Sequence, residues 1–296
     1  MAFQFKPSEK VRAGLRRIAT ERIDAAMAVV EVARGTDASR EDVDLAVHDA
    51  RRRCKELRAL VRIVRPCFGS YERENAAFRT AARLLADLRD ATTTLDAFDA
   101  LVGESEADVF AAVRRVFATD RSDLASDAGE RLRAFVERMA EARKRARTWT
   151  LDARGFNAIG PGLEKTYARC QSAMHEAHAK PTTERLHEWR KCVKYNRYHL
   201  RLLRGLFRPV IDPIREQAKR LSDLLGEHHD LAVLAEAIDA AGPAIEAAQR
   251  AELHERIALR RRTLEAEAFA LGRRLYAQRP GHLRAHAEAL WRLRRS

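Results

Sequence analysis

Histidine, arginine and lysine recur at steps of three and four residues in two segments of this 296-residue chain. Guanidinium and ammonium groups donate charge-assisted hydrogen bonds to phosphate or carboxylate, so such side chains on one surface can hold an anion. In segment 47–65 the recurring positions are His48, Arg51, Lys55, Arg58, Arg62 and Arg65. In segment 186–208 they are His187, Arg190, Lys194, Arg197, Arg201, Arg204 and Arg208. We call these sets the first and the second cationic stripe.

An α-helix is the element that brings such positions together, because steps of three and four place side chains on one face. Each segment is therefore predicted to be a helix with its stripe along one side. One position before each stripe runs an apolar row, which must pack on neighbouring helices. The rows are Val47, Ala50, Cys54, Leu57, Val61 and Val64, and then Leu186, Trp189, Val193, Leu200, Leu203 and Phe207. The stripes are predicted to lie at the edge of a packed seam and to line a shared groove.

The net charge of the chain is concentrated in these segments. Segment 47–65 has a net charge of +5 and segment 186–208 one of +6, against +13 for the whole chain. Exposed helix faces usually mix acids with bases, whereas neither stripe contains an acid, and like charges at these spacings repel one another. A bound polyanion would offset that repulsion, so the pattern predicts a polyanionic partner.

The kind of anion is narrowed by motifs that the sequence lacks. No aromatic platform interleaves both stripes and no Gly-rich phosphate loop is present, which favours a linear chain of phosphates bound by charge. A nucleic acid would satisfy the same electrostatics and is the alternative. An enzyme that cuts or transfers phosphate is a further alternative, but Asp49, Glu56 and Glu188 are isolated acids near the stripes. We predict no catalytic residue, no metal site and no cofactor.

The composition is that of a helix-rich protein with a substantial core. Hydrophobic residues make up 46% of the chain, with only 13 glycines and 8 prolines. No apolar run is long enough to span a bilayer and no signal peptide is recognised, so we predict a cytoplasmic protein without membrane attachment. The four cysteines lack the spacing of a zinc site or a disulfide framework.

The two stripes are in register at an offset of 139 residues, from His48 and His187 onward. A break from Gly155 to Gly162 separates the segments that contain them. We predict an internal duplication of a helical unit, with one copy in residues 1–155 and the other in 156–296. Ser39 and Asp42 have the spacing of a capping box at the start of the first stripe helix, and Pro181, Thr182 and Thr183 mark the start of the second. Residues 71–101, 106–118 and 123–149 are each predicted to form one helix, and the two stripe helices are predicted to stop at Pro66 and Pro209.

The runs that begin at His48 and His187 resemble the paired H-x-x-R-x-x-x-[RK]-x-x-R signatures of the CHAD domain, the conserved histidine α-helical domain. The similarity extends over essentially the whole chain, including residues 224–230 and 271–276. It implies an all-α fold of two pseudo-symmetric helical bundles around a basic central groove or pore. It also implies non-catalytic binding of inorganic polyphosphate, with recruitment to polyphosphate granules and contact with granule-associated proteins.

The resemblance assigns polyphosphate binding to both stripes as far as Arg65 and Arg201. Arg204 and Arg208 are added from the stripe alone, and three further basic residues, Arg17, Lys165 and Arg169, are predicted to extend the lining. The stripe histidines, His48 and His187, are interpreted as imidazolium ligands of phosphate. We therefore expect affinity to rise as the pH falls from about 8 to 6 and this slope to depend on the two histidines.

Overall fold

The computed structural model describes residues 3–35, 39–103, 108–120 and 128–294, with the backbone alone for 87–93 and 119–120. Within these ranges the chain forms eleven α-helices and no β-strand, which confirms the all-α prediction. None of these helices has a stretch apolar enough to cross a bilayer. The helices are α1 Val11–Ala33, α2 Arg40–Ile63, α3 Tyr71–Leu84, α4 Asp87–Val102, α5 Ala111–Asp120, α6 Ala128–Ala146, α7 Gly160–Ala179, α8 Thr183–Leu202, α9 Arg208–Ala240, α10 Ala247–Leu275 and α11 Pro280–Leu293.

Four helices, α1, α2, α3 and α6, pack together as one bundle. Their apolar faces meet in a core that includes Leu15, Leu57, Phe78 and Phe135, each of them fully buried. These residues sit at helical spacing on their own helices, so that one side of each helix is buried while the other carries charge. The first bundle therefore presents α2 with its apolar row inside.

Helices α7, α8, α9 and α10 form the second bundle, and α11 packs on α7. Trp189 of α8 is fully buried, and its ring stacks on Phe269 of α10 with 5.2 Å between ring centroids. Leu221 and Leu225 of α9 belong to the same cluster. This bundle presents α8 in the same way, with its apolar row inside.

Helix α4 leaves the first bundle and packs against α9 of the second, and α5 packs on α4. Phe98 of α4 and Phe117 of α5 contact each other, with 5.5 Å between ring centroids. Both belong to one apolar cluster with Leu234 and Ile238 of α9. The division of the chain into two repeats, 1–155 and 156–296, stays a prediction, as does the pseudo-symmetry.

The two bundles meet where α2 packs on α7 and α8. The close approach of α7 to α2 depends on Gly162, because a Cβ atom there would lie 1.9 Å from the carbonyl oxygen of Ile63. That oxygen belongs to the last residue of α2 and cannot move without shifting the helix. Gly162 thus sets the distance between α7 and the end of α2.

The structure corrects two predicted helix boundaries. The helix predicted over 71–101 is two helices, because a turn at Leu85 and Ala86 releases α4 to bury its apolar face on α9. Pro209 does not stop a helix. It lies in the first turn of α9, where its missing N–H is tolerated, and α8 has already ended at Leu202. The predicted helix starts at Glu106 and Asp123 lie outside the described residues.

We expect Gly162→Ala to destabilise the protein by about 2–3 kcal/mol, because the methyl group forces α7 away from the end of α2. Gly129→Ala is the matched control. No atom lies within 4 Å of the Cβ position at Gly129, which is in α6, so alanine there should stabilise the protein by about 0.5–1 kcal/mol. Urea denaturation measures both free energies of unfolding, and equal values for the two variants would contradict this account of the contact.

Candidate functional site

The two stripe helices begin at the predicted caps. The Ser39 hydroxyl accepts a hydrogen bond from the Asp42 amide, and the Asp42 carboxylate accepts one from the Ser39 amide at 3.0 Å. At α8, Thr182 accepts a hydrogen bond from the Arg185 amide at 3.3 Å. Ser39 and Asp42 form the predicted capping box. These caps place the start of each helix, and with it the position of each stripe.

The apolar rows are buried as predicted, with one exception. Every member from Val47 to Val64 and from Leu186 to Leu203 is at most 8% exposed. Phe207 is 45% exposed, because α8 ends at Leu202 and the row leaves the helix there. The stripe residues from Arg51 to Arg62 and from His187 to Arg201 are half-buried. The stripes therefore lie at the edge of the packed seam, where the sequence predicts them.

Buried polar contacts hold α2 against α8. The Nε2 atom of His199 donates a hydrogen bond to the Ala59 carbonyl oxygen at 3.0 Å, and the ring is completely buried. Burial lowers the pKa of His199 to about 3, so this ring is neutral. Nearby, Arg201 donates to Glu56 at 2.6 Å, and Arg22 of α1 lies 3.6 Å from the same carboxylate, which is 1% exposed. These contacts fix the position of the two stripes relative to each other.

A cleft of about 900 Å³ opens beside this contact, between α2 and α8 on one side and α4, α9 and α10 on the others. Eight of its lining residues are cationic and four are acidic, a net charge of +4. The cations are Arg51, Arg52, Lys55, Arg190, Lys194, Arg197, Lys219 and Arg260, and the acids are Asp96, Asp223, Glu227 and Asp230. The cleft is an electropositive concavity suited to an anion.

The cations of α9 and α10 are neutralised by neighbours. Lys219 is 3.0 Å from Asp223, and Arg260 is 2.6 Å from Glu227. Arg190 of α8 is 3.9 Å from Asp230, at the limit of an ion pair. These contacts leave the side of the cleft formed by α9 and α10 with little net charge.

The cations that line the cleft from α2 and α8 fall into two groups: Arg52 pairs with Asp49 and Arg190 contacts Asp230, whereas the other four have no carboxylate partner among the described residues. Among the described residues, no carboxylate lies within 4.0 Å of any of four cleft-lining cations. Arg51 donates only a long hydrogen bond, 3.4 Å, to the Ala82 carbonyl oxygen. The four are Arg51, Lys55, Lys194 and Arg197. We call them the unpaired set. Their positive charge is available to a ligand.

Two lysines of the unpaired set repel each other across the cleft. Burial, and then repulsion from Arg51 and Arg190, lower the pKa of Lys55 to about 8. Burial, and then repulsion from Arg190 and Lys55, lower the pKa of Lys194 to about 6. In each case Asp230 acts in the opposite direction, but more weakly. Both ammonium groups are therefore less stable here than in water, and a bound anion would reverse the effect.

Not all of the predicted binding residues reach this cleft. Six line it: His48, Arg51, Lys55, Arg190, Lys194 and Arg197. Arg58 and Arg62 lie farther along α2, and Arg65 follows its end; these three stack on tyrosines instead. The Arg62 guanidinium is 4.2 Å from the centroid of the Tyr195 ring, and that of Arg65 is 4.6 Å from the centroid of the Tyr71 ring. Arg58 donates to Asn75 at 3.1 Å. Arg65 lies past the end of α2 and also pairs with Glu72.

The last three residues of the second stripe do not line the cleft, because two are paired with acids and one is exposed. Arg201 is held by Glu56, and Arg204 is held by Asp212 at 2.7 Å. Arg208 is exposed in the first turn of α9. Arg204 and Arg208 were expected to follow α8, but the turn after Leu202 carries them off the stripe.

The additional basic lining does not extend this cleft. Arg17 is bonded to Glu9 at 2.6 Å and to Glu21 at 3.2 Å, and it faces a second cleft of about 820 Å³ along α1. Lys165 and Arg169 are exposed on α7 and are not among the residues that line the cleft.

The two stripe histidines, His48 and His187, differ in their position and in their surroundings. The ring of His187 packs on that of His229, with 4.3 Å between centroids, at the edge of the cleft. Burial, and then the neighbouring His229, lower the pKa of His187 to about 4, so it is neutral in the unliganded protein from pH 6 to 8. His48 lines the cleft and is exposed. His48 therefore reaches the cleft, whereas His187 is not among the residues that line it, and the imidazolium role of the two histidines stays a prediction.

Sequence reasoning missed several residues of the cleft. Arg52 follows Arg51 and is rotated by about 100° from the stripe, so helical spacing excluded it. Lys219 and Arg260 belong to helices without a charge pattern, and only the packing of α9 and α10 brings them here. His229 and Asp230 belong to segment 224–230, which resembles the family pattern, but nothing in the sequence indicated that their side chains line the cleft.

Comparisons with known proteins agree with this fold. The sequence matches the family model described as the CHAD domain over residues 23–239. The structure of PptA from Streptomyces chartreusis is similar, with a TM-score of 0.61 and 17% identity over 90% of this chain and 98% of that one. The crystal structure of the CHAD domain from the plant Ricinus communis has a TM-score of 0.55 and 17% identity, covering 94% and 93%. A search of curated proteins gives no match.

We expect Lys194→Met to stabilise the unliganded protein by about 1–2 kcal/mol at pH 7, because burial and repulsion force the lysine to release, on folding, the proton that it carries in the unfolded chain. The pKa of Lys194 is about 6 in the folded protein and about 10.4 when unfolded, so the penalty is full below pH 6 and disappears as the pH rises toward 10. The gain should therefore shrink between pH 7 and 10. Urea denaturation at several pH values measures it.

Lys191→Met is the control for this experiment. Lys191 lies on the same helix but is exposed and paired with Glu188. Its replacement should change the stability by less than about 0.5 kcal/mol at every pH. Destabilisation by Lys194→Met at pH 7 would contradict the lowered pKa.

Proposed function

Because the chain belongs to the CHAD domain family, we propose that it binds inorganic polyphosphate in the cleft between α2 and α8. The observation that carries the proposal is the unpaired set, Arg51 and Lys55 from α2 with Lys194 and Arg197 from α8. Four cations without carboxylate partners lie in one concavity, which favours an anion with several charges. A chain of phosphates offers an acceptor at every unit and matches this arrangement.

The length of the cleft suits an extended ligand. Lining residues of α9 run from Lys219 to Val233, which spans about 21 Å by helix rise. Beyond Lys55, the tyrosine-stacked Arg58, Arg62 and Arg65 continue the same side of α2. A longer polyphosphate would leave the cleft along these residues. Binding is expected to be insensitive to any sequence, since a phosphate chain has none.

The proposed role is binding without catalysis, with recruitment to polyphosphate granules as its cellular consequence. Two of the four acids that line the cleft, Asp223 and Glu227, are engaged by cations, so Asp96 and Asp230 are the acids to replace if catalysis is found. Release of orthophosphate from polyphosphate in the presence of Mg²⁺ or Mn²⁺ would overturn the non-catalytic part of the proposal. Capture of the protein on granules in cells depends on the unpaired set if the proposal is correct.

We expect Arg51→Gln and Lys194→Met each to weaken the binding of long-chain polyphosphate about tenfold, because each removes charge-assisted hydrogen bonds. Arg204→Gln and Arg208→Gln, from the second cationic stripe, are matched controls. Arg204 is paired with Asp212 and Arg208 is exposed outside the cleft, so each should retain affinity within about twofold. Isothermal titration calorimetry measures all four.

Equal losses of polyphosphate affinity in the two groups of variants would place the binding surface elsewhere.

Competition distinguishes polyphosphate from the nucleic-acid alternative. Long-chain polyphosphate should displace labelled duplex DNA at a far lower phosphate concentration than unlabelled DNA does. The reverse order would favour a nucleic-acid-binding protein.

Affinity for polyphosphate should rise as the pH falls from 9 to 6, by up to about tenfold per pH unit for each proton taken up. The anion stabilises protonated Lys55 and Lys194, whose pKa values in the free protein are about 8 and about 6. Arg190 adds to the repulsion of both lysines, and Asp230 faces them from α9 and opposes it. Titration at four pH values measures the slope.

The slope should be lost in the double variant Lys55→Met/Lys194→Met. It should persist in His48→Ala/His187→Ala, since His187 is neutral over this range. The opposite result would return the pH dependence to the histidines.

A further inference from the structure

One side of the cleft has a chemistry that inorganic polyphosphate cannot use. Facing the unpaired set, the lining contains apolar side chains from α4 and α9. They are Ala97, Ala100, Leu101, Leu231 and Val233. A phosphate chain has no apolar surface, so contact with these groups would desolvate phosphate without compensation. Another kind of chemical group fits this side better.

Packing explains why these residues face the cleft. Helix α4 rests on α9 through Phe98, which shares an apolar cluster with Leu234. Ala97, Ala100 and Leu101 are at positions i, i+3 and i+4 and so share the neighbouring face of α4. They are partly or fully exposed, and that exposure is toward the cleft. We call these three residues with the half-buried Val233 the apolar wall. Leu231, which also lines the cleft, is 3% exposed and belongs to the core behind it.

Carboxylates accompany the apolar wall. Asp96 of α4 lines the cleft, and no cation among the described side chains lies within 4.0 Å of it. Asp230 of α9 has only the 3.9 Å contact with Arg190. Carboxylates accept hydrogen bonds from hydroxyl and amino groups, whereas an ionised phosphate chain has no such donors. Acceptors and apolar groups together fit an organic group with hydroxyl or amino substituents.

We propose that the cleft also binds nucleoside polyphosphates, with the phosphates on the unpaired set and the nucleoside against the apolar wall. This inference rests on the proposed function for the phosphate end of the ligand. A volume of about 900 Å³ lies in the range of small-molecule sites, in which apolar groups form most of the lining and a few polar groups fix the orientation. The ribose hydroxyls and an exocyclic amine would be donors for Asp96 and Asp230.

The test compares two ligands with the same number of phosphates, adenosine 5′-tetraphosphate and inorganic tetraphosphate. The first carries no more negative charge than the second, so electrostatics alone would not favour it. We expect adenosine tetraphosphate to bind about tenfold more tightly, because the nucleoside buries apolar surface on the wall. Isothermal titration calorimetry at constant pH and salt measures both ligands.

The double variant Leu101→Asn/Val233→Thr makes the wall polar without changing its charge or, substantially, its size. It should reduce the affinity for adenosine tetraphosphate to that for inorganic tetraphosphate, and leave the latter within about twofold. The matched control is Val32→Thr/Leu259→Asn, which alters exposed apolar residues outside the cleft lining. This control should keep the tenfold preference.

The outcomes separate this inference from the proposed function. Equal or weaker binding of adenosine tetraphosphate, with inorganic tetraphosphate bound, would overturn the inference alone. A preference for the nucleoside ligand that survives Leu101→Asn/Val233→Thr would also overturn it, because the wall would not be responsible. If neither tetraphosphate nor long-chain polyphosphate bound, the proposed function would be overturned. The inference about nucleoside binding would then stand only if adenosine tetraphosphate bound and Leu101→Asn/Val233→Thr weakened that binding.

Discussion

The central constraint on this structure is that several like-charged side chains are held close together and partly out of water. Lys55 and Lys194 come from different helices and share one cleft with arginines, yet no carboxylate neutralises them within the described residues. Desolvation and repulsion both oppose their protonation. The buried apolar faces of α2 and α8 stabilise the helices that carry this arrangement and so offset its cost.

The contact between α2 and α8 separates satisfied charges from unsatisfied ones. Glu56 is buried between Arg22 and Arg201 and balances the charge of both. One position earlier in the helix, Lys55 points into the cleft. The neutral ring of His199 fixes the contact without adding charge. The bundles thus use ion pairs for attachment and keep another group of cations available.

Much of the fold and part of the site could be predicted from the sequence. Helical periodicity determines which face of α2 and α8 is apolar, and Ser39 marks the start of α2. The ends of the stripes could not be predicted, because the turn after α8 depends on packing and carries Arg204 away. Pairing depends on tertiary structure too: Arg201 meets an acid 145 positions earlier in the chain. The apolar wall is invisible to charge patterns, since α4 reaches the cleft only by packing on α9.

The stacking of arginines at the end of α2 on tyrosines of α3 and α8 has a consequence for the entropy of recognition. The guanidinium of Arg62 lies over Tyr195, and that of Arg65 lies over Tyr71. Arginine side chains stacked in this way have few accessible rotamers, so they lose their conformational entropy when the chain folds. An anion that arrives later finds donors already oriented and loses less free energy in ordering them than it would with mobile lysines on an open surface.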